Sequence, residues 1–314
     1  MITVNDVDAA RERIAPHIRL TPTMRLTATK DPLPVAAEVT LKLESLQVTG
    51  SFKARGAMNR LLGAPKGEAE RGIVTASGGN HGLAVARTAH AAGVDATIFL
   101  PSNVSPAKLA KMKRWNARAE VVGSVWDQAN AAALAYADRA GAAYFHPFAD
   151  PLVVAGQGTL GLEILDQLEH IDAVLVAIGG GGLIAGLATA VRARRPDVRI
   201  IGVEPTGSPT LKASLDAGRR IALPEVTTRV PTMACRETDD RIFQIVRDTV
   251  SDIILVDDDE MEAAAKWLWF ETGVAADLSG AASIAALRSG ASALRSARNI
   301  CALICGAGPE GALG

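Results

Sequence analysis

The sequence predicts an α/β protein in which parallel sheets are covered by helices, and two observations support this class. Short β-branched runs alternate with Ala-rich stretches of helical length along the whole chain. Aromatic residues make up only 4% of the chain while Ala and Gly are abundant, which suits helices packed closely on a sheet. Hydrophobic residues make up 48% of the 314 positions, so a disordered chain is excluded.

Seven runs predict strands in chain order. They cover residues 39–43, 72–76, 96–100, 173–178, 199–203, 253–256 and 300–305. Because strands that alternate with helices are joined by right-handed crossovers, we expect parallel sheets with helices on both faces. Residues 208–240 are the least regular segment and predict loops packed over a site.

Charge and hydropathy argue against nucleic acid and membrane as partners. With 33 basic and 34 acidic residues the net charge is -1, which gives no field to attract a polyanion. Residues 173–191 carry no charge and are long enough to span a bilayer. Four consecutive glycines would break such a membrane helix, so this run predicts a buried strand, a glycine turn and a buried helix.

The cysteine pattern indicates a reducing compartment. Cys235, Cys301 and Cys305 are odd in number and contain no Cys-x-x-Cys pair, so neither a disulfide framework nor a zinc site is expected. The first residues are charged and amphipathic and lack the apolar core of a secretory signal. We therefore expect a cytoplasmic protein.

The first segment that carries chemistry surrounds Lys53. Residues 46–57 read Leu-Gln-Val-Thr-Gly-Ser-Phe-Lys-Ala-Arg-Gly-Ala, and Ser51 can cap a helix running to about residue 62. Lys53 would lie in the first turn, where the positive end of the helix dipole lowers the pKa of an amine. A cation is unfavourable at that end of a helix, and such a break of a local rule marks Lys53 as a candidate functional residue. The alternative is that Lys53 is a solvated surface lysine.

Two glycine-rich turns each follow a predicted strand and open a helix. They are Ser77-Gly78-Gly79-Asn80-His81-Gly82 and Gly179-Gly180-Gly181-Gly182-Leu183. Free backbone N–H groups at such turns suit a carboxylate or a phosphate, and glycines let the backbone approach it closely. The tetraglycine lacks the Lys-Ser/Thr ending of a P-loop, which leaves a nucleotide-binding module as a weaker alternative.

In this order and spacing the segments resemble the pyridoxal-phosphate enzymes of the tryptophan synthase β-like fold (fold type II). The likeness is greatest to the threonine/serine dehydratase and serine racemase group, and it covers nearly the whole chain. The motifs that carry it are Arg19-Leu-Thr-Pro22, Ser51-Phe-Lys-Ala-Arg-Gly56, Ser77-Gly-Gly-Asn-His81, the tetraglycine, Gly202-Val-Glu-Pro205, Ser279-Gly-Ala-Ala282 and Cys305-Gly-Ala-Gly308.

The resemblance implies a role for each segment. Lys53 would hold pyridoxal 5'-phosphate covalently, Phe52 would pack on its ring and Asn80 would hydrogen-bond the ring hydroxyl. Cys305 would lie beside the pyridine nitrogen, where the family usually has serine or threonine. The phosphate would bind Gly179, Gly180, Gly181, Gly182 and Leu183. The substrate carboxylate would bind Ser77, Gly78, Gly79, Asn80 and His81.

The implied reaction is β-elimination of a hydroxy amino acid, L-threonine or L-serine, to a 2-oxo acid and ammonia. Lys53 would remove the Cα proton. Racemases of the group have a serine where this chain has Gly78, so we expect elimination rather than racemisation. A serine racemase, a 3-hydroxyaspartate ammonia-lyase in which Arg236 meets the second carboxylate, and a β-replacement enzyme remain alternatives.

The resemblance also implies a cation, a domain division and a homodimer. Glu204, the carbonyl of Ser208 and the side chain of Thr210 would hold a monovalent ion such as potassium, with a plain surface carboxylate as the alternative for Glu204. A large domain would comprise residues 1–65 and 151–314, and a small inserted domain residues 66–150. The family's Ala-Asp-Gly turn and Glu-Pro pair are replaced, the latter by Asp277-Leu278, so the pocket departs from the family pattern.

Overall fold

The computed structural model describes residues 1–312, and its larger sheet has six strands. These are β1 (Thr23–Arg25), β2 (Glu38–Lys42), β7 (Ala173–Ala177), β8 (Arg199–Pro205), β9 (Asp252–Val256) and β10 (Asn299–Leu303). Their order is β1-β2-β10-β7-β8-β9, and only the β1–β2 pair is antiparallel. The order joins the two ends of the chain in one sheet.

The second sheet has four parallel strands. They are β3 (Ile73–Ala76), β4 (Ala96–Leu100), β5 (Arg118–Val121) and β6 (Ala143–Tyr144), in the order β5-β4-β3-β6. Strands β3 and β4 are buried throughout, as expected for a parallel sheet covered on both faces. All four strands come from one continuous stretch of the chain.

Eleven helices of the described residues surround the two sheets. In order these are α1 (Val4–Ile14), α2 (Lys53–Leu62), α3 (Asn80–Ala92), α4 (Pro106–Arg114), α5 (Trp126–Ala140), α6 (Pro151–Gln167), α7 (Gly182–Arg194), α8 (Thr210–Asp216), α9 (Asp240–Thr249), α10 (Asp258–Thr272) and α11 (Leu278–Arg288). Helices α6 and α7 approach closely at Gly186, where an added Cβ atom would lie 2.2 Å from the Val154 carbonyl oxygen. No helix in this part of the chain is both long and apolar enough to cross a membrane.

The hydrophobic core is divided between the two sheets. One cluster packs β2, β7, β8 and β10 against their helices, and a separate cluster fills the space around β3 and β4. The predicted α/β class with parallel sheets and flanking helices is confirmed, and each of the seven predicted runs forms a strand. The division into residues 1–65 with 151–314 and residues 66–150 stays a prediction.

Candidate active site

Lys53 lies at the start of α2, beside the carboxyl ends of strands from both sheets. Its Nζ donates a hydrogen bond to the Pro147 carbonyl oxygen at 2.7 Å. Burial lowers the pKa of the Lys53 amine from its ordinary value of 10.5 to about 8. At pH 7 roughly a tenth of this amine is therefore unprotonated and nucleophilic, and the fraction rises with pH.

Ser51 does not cap α2 as predicted. Its hydroxyl is buried and has no hydrogen-bond partner among the described residues. The backbone of Ser51 instead bridges to Gly306, and the Phe52 N–H donates to the Cys305 carbonyl oxygen at 3.2 Å. This pairing holds the extended backbone before α2 against the end of β10, which sets where Lys53 begins its helix.

The asparagine loop connects β3 to α3. Ser77 Oγ accepts a hydrogen bond from the Gly79 N–H at 3.3 Å, and helix α3 begins at Asn80. The Asn80 amide nitrogen donates to Asp277 Oδ2 at 2.8 Å. A Cβ atom on Gly78 would meet only ordinary contacts, 3.4 Å to Val104, so no neighbouring side chain fills the place of the racemase serine.

His81 follows Asn80 and is buried. Its Nε2 lies 3.1 Å from the Phe145 carbonyl oxygen. Burial lowers the pKa of His81 to about 3, so the ring is neutral and Nε2–H donates to that carbonyl. The side chain of His81 therefore holds the loop in place, and the backbone is the part available to a carboxylate.

The tetraglycine lies between β7 and α7 and is shaped by close neighbours. A Cβ atom would lie 2.2 Å from the Phe148 ring if placed on Gly180, and 2.8 Å from the Thr232 carbonyl oxygen if placed on Gly179. Gly181 has a φ of +89° and precedes the first turn of α7. The first N–H groups of a helix have no partner within it, so Gly182 and Leu183 offer donors and a positive dipole end to an anion.

Cys305 follows the end of β10 and is buried. Its thiol donates to the Ser279 carbonyl oxygen at 3.4 Å. Burial raises the pKa of the Cys305 thiol far above its usual range, so the group is neutral. Cys301 is also buried, within β10, and burial raises the pKa of its thiol to about 12, as expected of a core cysteine.

Two residues that the sequence did not mark lie against the glycine turns or the segment that packs on them. Thr232 contacts both glycine loops, since its methyl carbon would lie 3.3 Å from a Cβ atom on Gly79. His146 accepts the Phe148 and Ala149 N–H groups at Nδ1, at 3.2 and 2.8 Å, and burial lowers its pKa to about 4. Nothing in their local spacing marks these residues, because distant segments bring them to the site.

The predicted cation ligands lie together, since the Thr210 hydroxyl is 3.5 Å from the Ser208 carbonyl oxygen, but the side chains bind protein groups. Glu204 Oε1 and Oε2 accept the Leu211 and Lys212 N–H groups at 2.8 and 2.9 Å, and Ser208 Oγ donates to the Cys235 carbonyl oxygen at 2.9 Å. The Thr210 hydroxyl is 3.4 Å from that of Ser208. Glu204 is fully buried, so the alternative of a plain surface carboxylate is wrong, and this burial raises its pKa to about 7. The cation itself stays a prediction.

Arg236 is exposed, and its Nε donates to the Leu223 carbonyl oxygen at 3.0 Å. Its guanidinium therefore binds a neighbouring loop. This contact gives no support to a second substrate carboxylate at Arg236.

The residues around Lys53 fit pyridoxal phosphate. The aldehyde of pyridoxal phosphate reacts with an unprotonated amine, and the lowered pKa of Lys53 makes such an amine available. Its phosphate needs a concave row of N–H donors, which the crowded glycine turn before α7 provides. The fold and this site together define a pyridoxal-phosphate enzyme.

Comparison with known proteins gives the family. The model of the family "Pyridoxal-phosphate dependent enzyme" matches residues 14–306, and the chain belongs to this family. It is 40% identical over 262 residues to an L-threonine ammonia-lyase of Geobacter sulfurreducens, covering 83% of this chain and 65% of that protein. It is 36% identical over 287 residues to an L-threonine ammonia-lyase of Thermotoga maritima, covering 91% and 71%.

Solved structures agree with this assignment. Maize serine racemase superposes with a TM-score of 0.92 at 32% identity, over 97% of this chain and 93% of that one. A threonine deaminase from T.th. superposes with a TM-score of 0.89 at 35% identity, over 98% of each chain. The predicted fold family and cofactor are therefore confirmed.

Proposed function

We propose that the protein is a pyridoxal-phosphate-dependent ammonia-lyase that converts L-threonine, and L-serine, to the 2-oxo acid and ammonia. The observation that carries the proposal is the buried Lys53 amine of lowered pKa, which binds the Pro147 carbonyl oxygen next to Phe148, the residue that packs on the glycine turn. The names of the two relatives, both L-threonine ammonia-lyases, support the substrate and the reaction. The chain spans 65% of the Geobacter protein's length, so the activity is carried over as a proposal.

The carboxylate of the substrate would bind first to the asparagine loop. The backbone N–H groups of Asn80 and His81 stand at the start of α3, where the helix dipole favours an anion, whereas the Gly79 N–H donates to Ser77 Oγ. Ser77 adds a hydroxyl, and the neutral ring of His81 braces the loop against Phe145. This orientation places the Cα–H bond of the substrate in a defined direction.

Lys53 would act as the base. When bound, pyridoxal phosphate supplies the electron sink that makes the Cα proton acidic. Once the substrate amine has displaced it from the cofactor, the free Lys53 amine would take that proton, the Cβ–O bond would break, and the hydroxyl would take up a proton and leave as water. Addition of water to the remaining unsaturated amine then releases ammonia and leaves the 2-oxo acid.

The other site residues are proposed to hold the cofactor. Phe52 would contact the ring, Cys305 would lie beside the ring nitrogen and Gly179–Leu183 would bind the phosphate. A neutral thiol cannot keep the ring nitrogen protonated as a carboxylate would. Less charge would then be delocalised into the ring, which would favour prompt loss of the β-hydroxyl.

Racemisation needs a second acid or base on the opposite face of the substrate. Maize serine racemase is structurally similar, but Gly78 offers no side chain at the position that the family resemblance assigns to this group. We therefore place elimination ahead of racemisation. The homodimer, the cytoplasmic location, the potassium ion at Glu204, Ser208 and Thr210 and the two-domain division remain parts of this proposal that the family resemblance supports.

Replacement of Lys53 tests the proposal. The purified protein supplied with pyridoxal phosphate should release 2-oxobutanoate from L-threonine, and Lys53→Ala should lower kcat by at least about a thousandfold because the base is lost. Lys66→Ala, at an exposed lysine, is the matched control and should keep the wild-type rate. Turnover by Lys53→Ala at a rate comparable to wild type would refute the assignment.

A further inference from the structure

Asp277 is a buried carboxylate that the proposed reaction does not use. Only 2% of its surface is exposed, and it stands at the N-terminus of α11. Oδ1 accepts the Ser279 hydroxyl and the Gly280 N–H, both at 2.7 Å, and Oδ2 accepts the Asn80 amide at 2.8 Å. All three of these donors are neutral groups.

The hydrogen bond from Asn80 to Asp277 joins elements of the two sheets. Asn80 begins α3, which packs on β3 and β4, whereas α11 is attached to β7 through the Ser283 hydroxyl and the Leu175 carbonyl oxygen at 3.1 Å. The Asp277 N–H also donates to the Gly306 carbonyl oxygen at 3.1 Å, next to Cys305. Asp277 therefore ties the asparagine loop, through its carboxylate, to the strand end that carries Cys305, through its backbone N–H.

The side chains of Asp277 and Asn80 both pack against the backbone of Gly306. A Cβ atom there would be 2.7 Å from Asp277 Oδ2 and 2.8 Å from Asn80 Nδ2, so the space is filled by this contact. A carboxylate only accepts hydrogen bonds, so the amide nitrogen of Asn80 must face Asp277. The second N–H and the oxygen of the same amide are left for a ligand.

We infer that Asp277 is a positioning residue, which sets the direction of the Asn80 amide and the place of the asparagine loop relative to Cys305 and Lys53. The inference rests on the role proposed for Asn80 and deepens it. Asp277 stands in place of the glutamate of the family's Glu-Pro pair, so this chain keeps the carboxylate on a side chain one methylene shorter.

Asp277→Asn isolates this role, because asparagine caps helices about as well as aspartate and should leave α11 intact. With its oxygen kept on the Ser279 hydroxyl and the Gly280 N–H, the new amide presents Nδ2 to Asn80, which reverses the Asn80 amide. We expect kcat for L-threonine to fall about tenfold, the usual effect of losing one hydrogen bond to a charged group. The pH midpoint of the visible absorbance of the cofactor-loaded enzyme should shift in the same direction as in Asn80→Ala.

The double variant Asn80→Ala/Asp277→Asn distinguishes positioning from a general effect. If Asp277 acts through Asn80, its substitution changes neither kcat nor the absorbance midpoint once Asn80 is removed. Asp257→Asn, the same change at the exposed cap of α10, is the control and should leave both at wild-type values. Multiplying effects in the double variant, or an Asp277→Asn enzyme with wild-type kcat and midpoint, would overturn the inference.

The absorbance midpoint is measured without substrate and so separates the two claims. A shifted midpoint in Asp277→Asn together with no release of 2-oxobutanoate by wild type would support the inference and refute the proposed substrate. An unshifted midpoint in Asp277→Asn together with release of 2-oxobutanoate by wild type would refute the inference and support the proposed substrate.

Discussion

Burial sets the protonation state of the titratable side chains around Lys53. It lowers the pKa of the Lys53 amine to about 8, that of His81 to about 3 and that of His146 to about 4. The same desolvation raises the pKa of the Cys305 thiol. At neutral pH the histidines and the thiol are uncharged, so Lys53 is the group of this set that exchanges a proton near the working pH.

The lowered pKa of Lys53 predicts a pH dependence for the cofactor-free protein. Between pH 8 and about 10 the unfolded lysine still binds a proton that the folded lysine has lost. Stability rises with pH where the unfolded state binds more protons, so the wild-type apoprotein should gain stability relative to Lys53→Met across this range. Urea midpoints measured at several pH values check this, and parallel curves for the two proteins would contradict it.

At the scale of elements, the cradle depends on a loop from another part of the chain. Phe148 precedes α6, and its ring occupies the space into which a side chain on Gly180 would project. Thr232, from the irregular segment between α8 and α9, crowds Gly179 from another side. The glycine turn is therefore packed between the segments that carry Phe148 and Thr232. Its glycines are needed because no side chain fits there and because Gly181 has a positive φ.

Gly180→Ala should weaken cofactor binding. A Cβ atom 2.2 Å from the Phe148 ring forces the turn or the ring to move, which displaces the N–H donors. We expect the dissociation constant for pyridoxal phosphate to rise at least about tenfold, as when one hydrogen bond to a charged group is lost. Absorbance titration of the apoprotein measures it. Gly93→Ala has a positive φ but no neighbour within 4 Å, and it should keep the wild-type constant; equal constants for Gly180→Ala and wild type would contradict the role of the cradle.

The strands and the glycine turns could be predicted from the sequence because their signals are local. A buried parallel strand is a continuous apolar run, and a turn that opens a helix needs glycine at fixed positions. Strands β1, β5 and β6 could not be predicted, since they are short and their residues are largely polar or half-buried. Ser51 was wrongly expected to cap α2 because its pairing with Gly306 involves a strand end near the other terminus of the chain.

Partners across the fold explain the remaining misses at the site. Asp277 faces Asn80 only because α11 and α3 meet, and no spacing rule within either segment predicts that contact. The same holds for the residues that pack around the tetraglycine. They come from segments distant from it in sequence, namely Phe148, His146 and Thr232. The sequence alone therefore predicts the residues that carry the chemistry better than the residues that hold them.

On the scale of the whole molecule, a buried network of charges holds the helix that bears Lys53. Arg55 donates to Glu44 through Nε and Nη2 at 2.8 and 2.7 Å, and to Glu163 of α6 at 2.8 Å. Lys42 of β2 pairs with the same Glu163. Burial opposes ionisation of Glu163, but Arg55 and Lys42 outweigh it and lower the pKa of the carboxyl. The network joins α2, α6 and β2 beneath the site.

Glu163→Gln should destabilise the whole fold. It leaves Lys42 buried without its anion, and removal of one partner from a buried pair typically costs about 3–5 kcal/mol. The free energy of unfolding in urea measures this loss. Glu38→Gln breaks an exposed pair with Arg25 and should cost less than about 1 kcal/mol; similar losses for the two variants would contradict a structural role for the network.

The central claim is the reaction, and product analysis tests it most directly. The purified protein, loaded with pyridoxal phosphate and supplied with potassium, is incubated with L-threonine, and 2-oxobutanoate and ammonia are quantified together. We expect the two products in equal amounts and no comparable formation of a racemised amino acid. Absence of 2-oxobutanoate from a fully loaded enzyme, or racemisation at a rate that rivals its release, would contradict the proposed function.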